Sequence, residues 1–350
     1  MIHDQRVLFL TSGMTAPATQ YRILPYFPRL QSAGIQCDAW HSIPQKYHRF
    51  PWLGWWISNR IRKGIRRIQL LQARWRRYDA IVLEREIFDD PTWNYEAAFR
   101  LCTPRLILDV DDAVFLRYPE KFIRLAKMSD HVVAGNRMLA QEFQKHCPNV
   151  TIIPTAIDLN EYPPLGEKAV QEIPVIGWIG TPANLPYLNV ALPALKRLAQ
   201  TRRFRLRIIT SDEHDLRVLN FETIPVEFRR WSASTAVREI QQFDIGIMPL
   251  PDEPWERCKC GFKLLQYMAA GVPAIASPVG VNAEMISHGK DGFLAETTRN
   301  WDDCFHQILS HPEELFALRQ AARDKIESRY SIDVQLPNFL SAITGNAMPS

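Results

Sequence analysis

Nowhere in the 350 residues is there an apolar run approaching the roughly 18 residues that a membrane-crossing helix needs. The first residues, MIHDQRVLFLTSG, show no cationic leader and no small-residue cleavage site, so they read as a first strand and not as a signal peptide. Cysteine is sparse and scattered, at 37, 102, 147, 258, 260 and 304. Such spacing suits reduced thiols in a cytosolic enzyme better than a disulfide framework. Cys258 and Cys260 form C-x-C without a second pair or nearby histidines, which argues against zinc. Glycine is scarce in the loop after the first strand, GMTAPATQYR, and this argues against a dinucleotide fingerprint. Acids are missing altogether between Lys46 and Arg77, although the net charge of the chain is only +4.

What is present is ordinary in bulk and uneven in place. Apolar residues make up 46% and charged residues 23%, the balance of a globular protein, and the length favours two domains. The acid-free stretch 46–77 concentrates ten lysines and arginines, with Trp52, Trp55, Trp56 and Trp75 among them. Ile57, Ile61, Ile65, Ile68, Leu71 and Trp75 recur at helical spacing, which predicts one or two amphipathic helices over Trp52–Arg77. Two readings are open. The isoleucines could pack on a sheet with the arginines solvated, or the segment could meet a membrane surface, where indoles favour the interface. A nucleic-acid partner is not expected, because no nucleic-acid module accompanies the charge.

Strand-like runs alternate with helical ones along the whole chain. Strands are expected at Arg6–Ser12, Ile35–Trp40, Asp79–Glu84, Arg105–Val110, His131–Gly135 and Val150–Ile153. After a Pro- and Gly-containing linker the pattern begins anew at Pro174–Ile179, Leu206–Thr210, Val226–Phe228, Ile245–Pro249 and Pro273–Ser277. Helices are expected at Tyr21–Ala33, Leu188–Gln200 and Thr235–Gln242. The fold class is therefore α/β, with two Rossmann-like, doubly wound parallel sheets. The domain boundaries this suggests are 1–164, a linker over 165–173, and 174–333; the tail NAMPS is expected to be disordered. Ligands in such sheets bind at the carboxyl ends of strands, which draws attention to Glu84, Arg85, Asp111, Asp112 and Asn136. The DVDD group around Asp111 and Asp112 could also be read as magnesium ligands.

The most informative stretch is Glu256–Glu296, ERCKCGFKLLQYMAAGVPAIASPVGVNAEMISHGKDGFLAE. It reads as loop, helix, strand, loop, short helix, strand. Leu264, Leu265, Met268 and Ala269 stripe one helix face, and Gly271 stops the helix. Backbone N–H groups of Phe262 and Lys263 at the helix start, with the Lys259 and Lys263 side chains beside them, could hold a phosphate or diphosphate. An ordinary αβ unit with two solvated lysines would show the same spacing.

FKLLQYMAAGVPAIASPVG followed by NAE resembles the nucleotide-sugar site of the large retaining GT-B glycosyltransferase family known as group 1 or family four. That family carries a glutamate, seven residues, then a second glutamate opening an E-A/Y-M-A-x-G-x-P-V-V-A segment. Here Cys258 and Gln266 stand at those two positions. The resemblance implies a GT-B fold whose two domains face across a cleft, and transfer, with retention, of a sugar from a nucleotide diphosphate-sugar, a substrate, to a glycan, lipid-linked or polysaccharide-precursor acceptor. It implies no bound metal and no further cofactor; the cysteine usage points to the cytoplasm, and the basic, Trp-rich stretch 46–77 is what would bring the enzyme to the inner face of the membrane. It assigns the donor to Gly261, Phe262, Gln266, Gly280, Glu284 and Thr181, and catalysis to Lys263, Lys259, Asp111 and Asp112. Thr19 and Arg22 in PATQYR, with Arg85, fall on the acceptor side; Ile332–Ile343 resembles the family's final helix, and 334–350 returns to the first domain. Such enzymes commonly place an arginine and a lysine after the first strand of the second half. Here that loop is Gly180-Thr181-Pro182-Ala183-Asn184, and Lys259 and Lys263 would supply the charge instead. An epimerase or phosphorylase of the same fold, or a non-catalytic nucleotide-sugar-binding protein, is the alternative.

Overall fold

The computed structural model describes residues 5–164, 166 and 172–345. Of the linker expected over 165–173 only 166, 172 and 173 are among them, and the tail 346–350 lies outside. The chain divides into two compact units. Unit 1 runs to Ala156 and includes Cys258–Cys260 and the segment from Ile332; unit 2 holds Ile157–Arg257 and Gly261–Ser331.

In unit 1, six strands form one parallel sheet. They are β1 (Gln5–Thr11), β2 (Ile35–His41), β3 (Ala80–Glu84), β4 (Arg105–Val110), β5 (His131–Ala134) and β6 (Val150–Ile152), in the order β2-β1-β3-β4-β5-β6. Their aliphatic runs are buried on both faces, as a sheet covered by helices requires: Val7, Leu8, Ile81, Leu106 and Val132 are wholly inaccessible. Between them lie α1 (Phe27–Ser32), α2 (Gly54–Arg76), α3 (Asn94–Arg100), α4 (Pro119–Met128) and α5 (Arg137–Phe143). The single helix expected at Tyr21–Ala33 is instead a π-turn at Thr19–Ile23, a 3-10 turn at Leu24–Tyr26, and then α1. Pro25 and Pro28 lack the N–H that a continuous helix needs, so each sits at the start of a new piece.

Unit 2 repeats the plan. Strands β7 (Val175–Ile179), β8 (Arg205–Thr210), β9 (Val226–Arg230), β10 (Ile245–Met248), β11 (Ala274–Ala276) and β12 (Phe293–Leu294) form a parallel sheet in the order β12-β11-β10-β7-β8-β9. Its helices are α6 (Leu192–Thr201), α7 (Ala236–Gln241), α8 (Phe262–Ala269), α9 (Asn282–Met285), α10 (Thr298–Ser310) and α11 (Leu315–Lys325). The helix expected from Leu188 starts later, because Pro182 and Pro186 hold Pro182–Val190 in 3-10 form. One core lies on each face of this sheet, one built around Tyr267, Met268 and Phe243, the other around Trp178, Trp301 and Phe305.

The last helix, α12 (Ile332–Thr344), belongs to unit 1. Its Phe339 ring stacks on Tyr26 at 4.5 Å, and Arg105 donates to the Ala342 carbonyl at 2.8 Å. Strand order reverses between β1 and β3 in unit 1 and between β7 and β10 in unit 2. Ligands of doubly wound sheets bind at such reversals, beyond the carboxyl ends of the strands.

Candidate functional site

In unit 2, β7 delivers the chain to Gly180 and Thr181 beside the end of β10. Thr181 is exposed, and its hydroxyl accepts from Asn184 at 3.1 Å. Helix α8 starts nearby with Gly261 as N-cap at φ +67°, and no side chain caps it. A Cβ at Gly261 would meet the Met285 sulfur at 2.6 Å, so glycine is required twice over. The Lys263 ammonium lies 5.4 Å from the centre of the Trp178 ring, a cation–π arrangement. Any Cβ on Gly180 would stand 2.8 Å from Lys263 Cε and 2.6 Å from Trp178, so the bare backbone there makes room for the lysine stem. Lys263 is half-buried, as is Phe262, which packs against the α8 core.

Two donor-site expectations find different surroundings. Gln266, expected to bond ribose or sugar hydroxyls, is 5% exposed, and its amide donates to the Tyr162 hydroxyl at 3.2 Å. The amide is used inside the unit because position 266 falls on the core face of α8. Glu284 is exposed on the one-turn helix α9, after Gly280, whose φ is +53°. A Cβ on Gly280 would come within 2.3 Å of the Arg257 carbonyl oxygen, so this turn lies against the loop before α8. That loop also holds a carboxylate that sequence reasoning passed over. Glu256 is 6% exposed and accepts from the Tyr187 hydroxyl at 2.5 Å. Its signal was its place at the head of the block, two residues before Cys258.

In unit 1, polar side chains converge at the carboxyl ends of β3, β4 and β5. Arg85 follows β3 at φ +57°, a left-handed conformation uncommon for a residue with a Cβ. Its guanidinium donates to Asp111 at 2.5 Å. Burial pushes the Asp111 carboxyl up, but the Arg85 charge and hydrogen bond outweigh it and hold the group below the usual range. Asp112 accepts from the neighbouring Ala113 amide at 2.9 Å.

Thr19 and Arg22, the acceptor-side residues, both turn inward. Thr19 donates to Glu84 at 2.5 Å, and Arg22 grips both carboxylate oxygens of Asp109 and reaches the Ile153 carbonyl at 2.9 Å. Each thereby orients a strand-end carboxylate. Burial raises the Glu84 carboxyl above its ordinary value, partly offset by Lys46.

Cys258–Cys260 lie against these strand ends. The Asn136 amide caps α5 by accepting from Leu139, and donates to the Cys258 carbonyl at 2.7 Å; the Cys260 thiol donates to the Asp111 carbonyl at 3.1 Å. Cys258 is buried at the position where a carboxylate is expected by resemblance. Lys259 is half-buried. Neither lysine is therefore a fully solvated surface cation.

Residues 173–311 match the family described as glycosyl transferases group 1. A GDP-Man:Man(3)GlcNAc(2)-PP-Dol alpha-1,2-mannosyltransferase from Dictyostelium discoideum is 27% identical over 104 residues, 29% of this chain; the matched stretch spans only 20% of that protein. Among solved structures, Anabaena HepE in complex with UDP and glucose superposes with a TM-score of 0.66 at 15% identity, over 97% of this chain and 100% of that one. Sucrose-phosphate synthase from Thermosynechococcus elongatus gives 0.75 at 13% identity, over 96% and 98%. The fold is thus GT-B, two Rossmann-like domains with parallel sheets. Within it, the match to the group 1 glycosyl transferases falls on residues 173–311, in unit 2.

Proposed function

We propose that the protein is a metal-independent hexosyltransferase of the family-four kind. It moves a sugar, with retention, from a nucleotide diphosphate-sugar to a glycan, lipid-linked or polysaccharide-precursor acceptor in the cytoplasm. The observation that carries the donor half is the start of α8: a helix without a side-chain cap, opened by a left-handed glycine, with Lys263 steered by Trp178 and Gly180. Such a terminus favours anions, since its backbone N–H groups and helix dipole point at the ligand. A sugar leaving from a diphosphate deposits negative charge there as the anomeric bond breaks, and cations already in place stabilise it without reorganising. Within unit 2, Thr181, Gly280 and Glu284 complete the donor set, and Glu256 supplies the carboxylate that Cys258 does not.

On the acceptor side, the Arg85–Asp111 pair lies at the strand ends, with Asp112 beside it. Thr19 and Arg22 act by holding Glu84 and Asp109 in place. The replacement of two motif carboxylates by Cys258 and Gln266 favours one other reading, a nucleotide-sugar-binding protein without turnover. Incubation with a panel of nucleotide sugars separates the two. The transferase reading expects slow nucleoside diphosphate release that survives EDTA and accelerates with acceptor. Binding without any release, or a sugar recovered as its epimer, would overturn it.

A further inference from the structure

Helix α2 is turned inside out. An amphipathic helix ordinarily puts its apolar stripe on the core. The inward face of α2 is instead Ser58, Arg62, Arg66 and Ala73, each 3% exposed or less. Arg62 donates to the Pro44, Gln45 and His48 carbonyls at 3.2, 3.0 and 2.6 Å, and Arg66 to those of Thr11 and Trp40 at 2.7 and 3.0 Å. These bonds fix the roll of the helix, and with it what faces outward.

The outward face is apolar. Ile57, Ile68, Leu71 and Trp75 are 40, 58, 56 and 86% exposed. At 3.6 residues per turn they fall within about 60° of one another. Arg60, Arg67 and Arg74, all exposed, recur every two turns along one border of that stripe. Among the described residues none of these three has an acidic partner, and no acid occurs anywhere in 46–77. At the amino end Trp52 and Trp56 are 88 and 69% exposed, with the Arg60 guanidinium 4.7 Å from the Trp56 ring.

We propose that α2 and the Trp52–Trp56 turn form a docking surface for an anionic lipid bilayer. The helix lies flat, with the Ile57–Trp75 stripe at the acyl boundary and the arginine row among the phosphates. Charge and shape agree on this partner. Indoles settle at the bilayer interface, and arginine stems reach past an apolar contact to place their charge in the headgroups. A nucleic-acid backbone would satisfy the arginines but leave Ile68 and Leu71 in water. The proposal uses none of the residues assigned to the donor and does not depend on the transferase reading.

The test is co-sedimentation of the full chain, without donor, with phosphatidylcholine vesicles carrying or lacking phosphatidylglycerol. The chain should pellet with the anionic vesicles only, less so as salt rises, and brominated acyl chains should quench its tryptophans. Leu71→Ser with Trp75→Ser should weaken binding about tenfold or more, given the apolar area each residue would bury. Arg60→Gln with Arg74→Gln should weaken it and flatten the salt dependence. The proposal is overturned if anionic vesicles leave the chain in solution, if the Leu71/Trp75 variant pellets as before with an unchanged melting point, or if a DNA or RNA duplex binds in preference to the vesicles.

Discussion

Lys263 illustrates how little freedom the site leaves a single residue. Its stem passes the bare backbone of Gly180, and its ammonium stands over Trp178. If it stabilises the leaving diphosphate, Lys263→Ala should lower turnover about a hundredfold or more, the size seen when one such donor is removed. Turnover within about threefold of the parent, with donor still bound, would remove Lys263 from that role. At Gly280, alanine would combine a positive φ with a contact of 2.3 Å to a backbone oxygen that cannot swing away. Gly280→Ala should cost about 1–3 kcal/mol of stability, read as a lower denaturant midpoint. His131 offers a pH signature. Burial, aided by Arg105, lowers its pKa from its ordinary 6.5 to about 4. The folded state therefore binds this proton more weakly than the unfolded chain does. Its contribution to stability is fully present above about pH 6.5 and is lost as pH falls toward 4. Replacing His131 by a residue that does not titrate should flatten the stability profile in that window; an unchanged profile would show that the group does not govern it.

Among the elements, strands were the most legible, because short aliphatic runs bounded by turns have few other fates in an α/β chain. Helix α2 was legible as a helix but not in its orientation. Isoleucines and arginines recur with the same period, and which face turns inward is decided by carbonyl acceptors at Thr11, Trp40 and Pro44–His48, far away in sequence. The solvated-arginine reading of Trp52–Arg77 is corrected at two positions, and a third cation just ahead of that segment is buried as well. Arg62 and Arg66 are buried, and Lys46 is 2% exposed, bonded to the Glu86 carbonyl at 2.8 Å and paired with its carboxylate at 3.1 Å. Gln266 was hidden in the same way, since no local pattern shows that Tyr162 waits for it. Arg66→Ala should destabilise unit 1 by about 2–3 kcal/mol by leaving buried carbonyls unpaired. Trp75→Ser should leave the melting point nearly unchanged, and a comparable loss for both would contradict this assignment of faces.

For the whole molecule, two sheets wound on one plan each place their strand-order reversal where chemistry can gather. In unit 2 that reversal lies between β7 and β10, near Gly180 and the start of α8; in unit 1 it lies between β1 and β3, near Glu84 and Arg85. A bound donor should raise the melting point by mass action, by about 2.7 kcal/mol of added stability at a hundredfold excess over Kd. The most direct measurement is titration calorimetry of the parent chain and of Lys263→Ala with a nucleoside diphosphate and with its parent nucleoside. An α8 terminus that grips the diphosphate predicts binding at least about tenfold tighter for the diphosphate, worth about 1.4 kcal/mol, with most of that margin gone in Lys263→Ala. Equal affinities in the parent chain, or a margin untouched by the substitution, would contradict it.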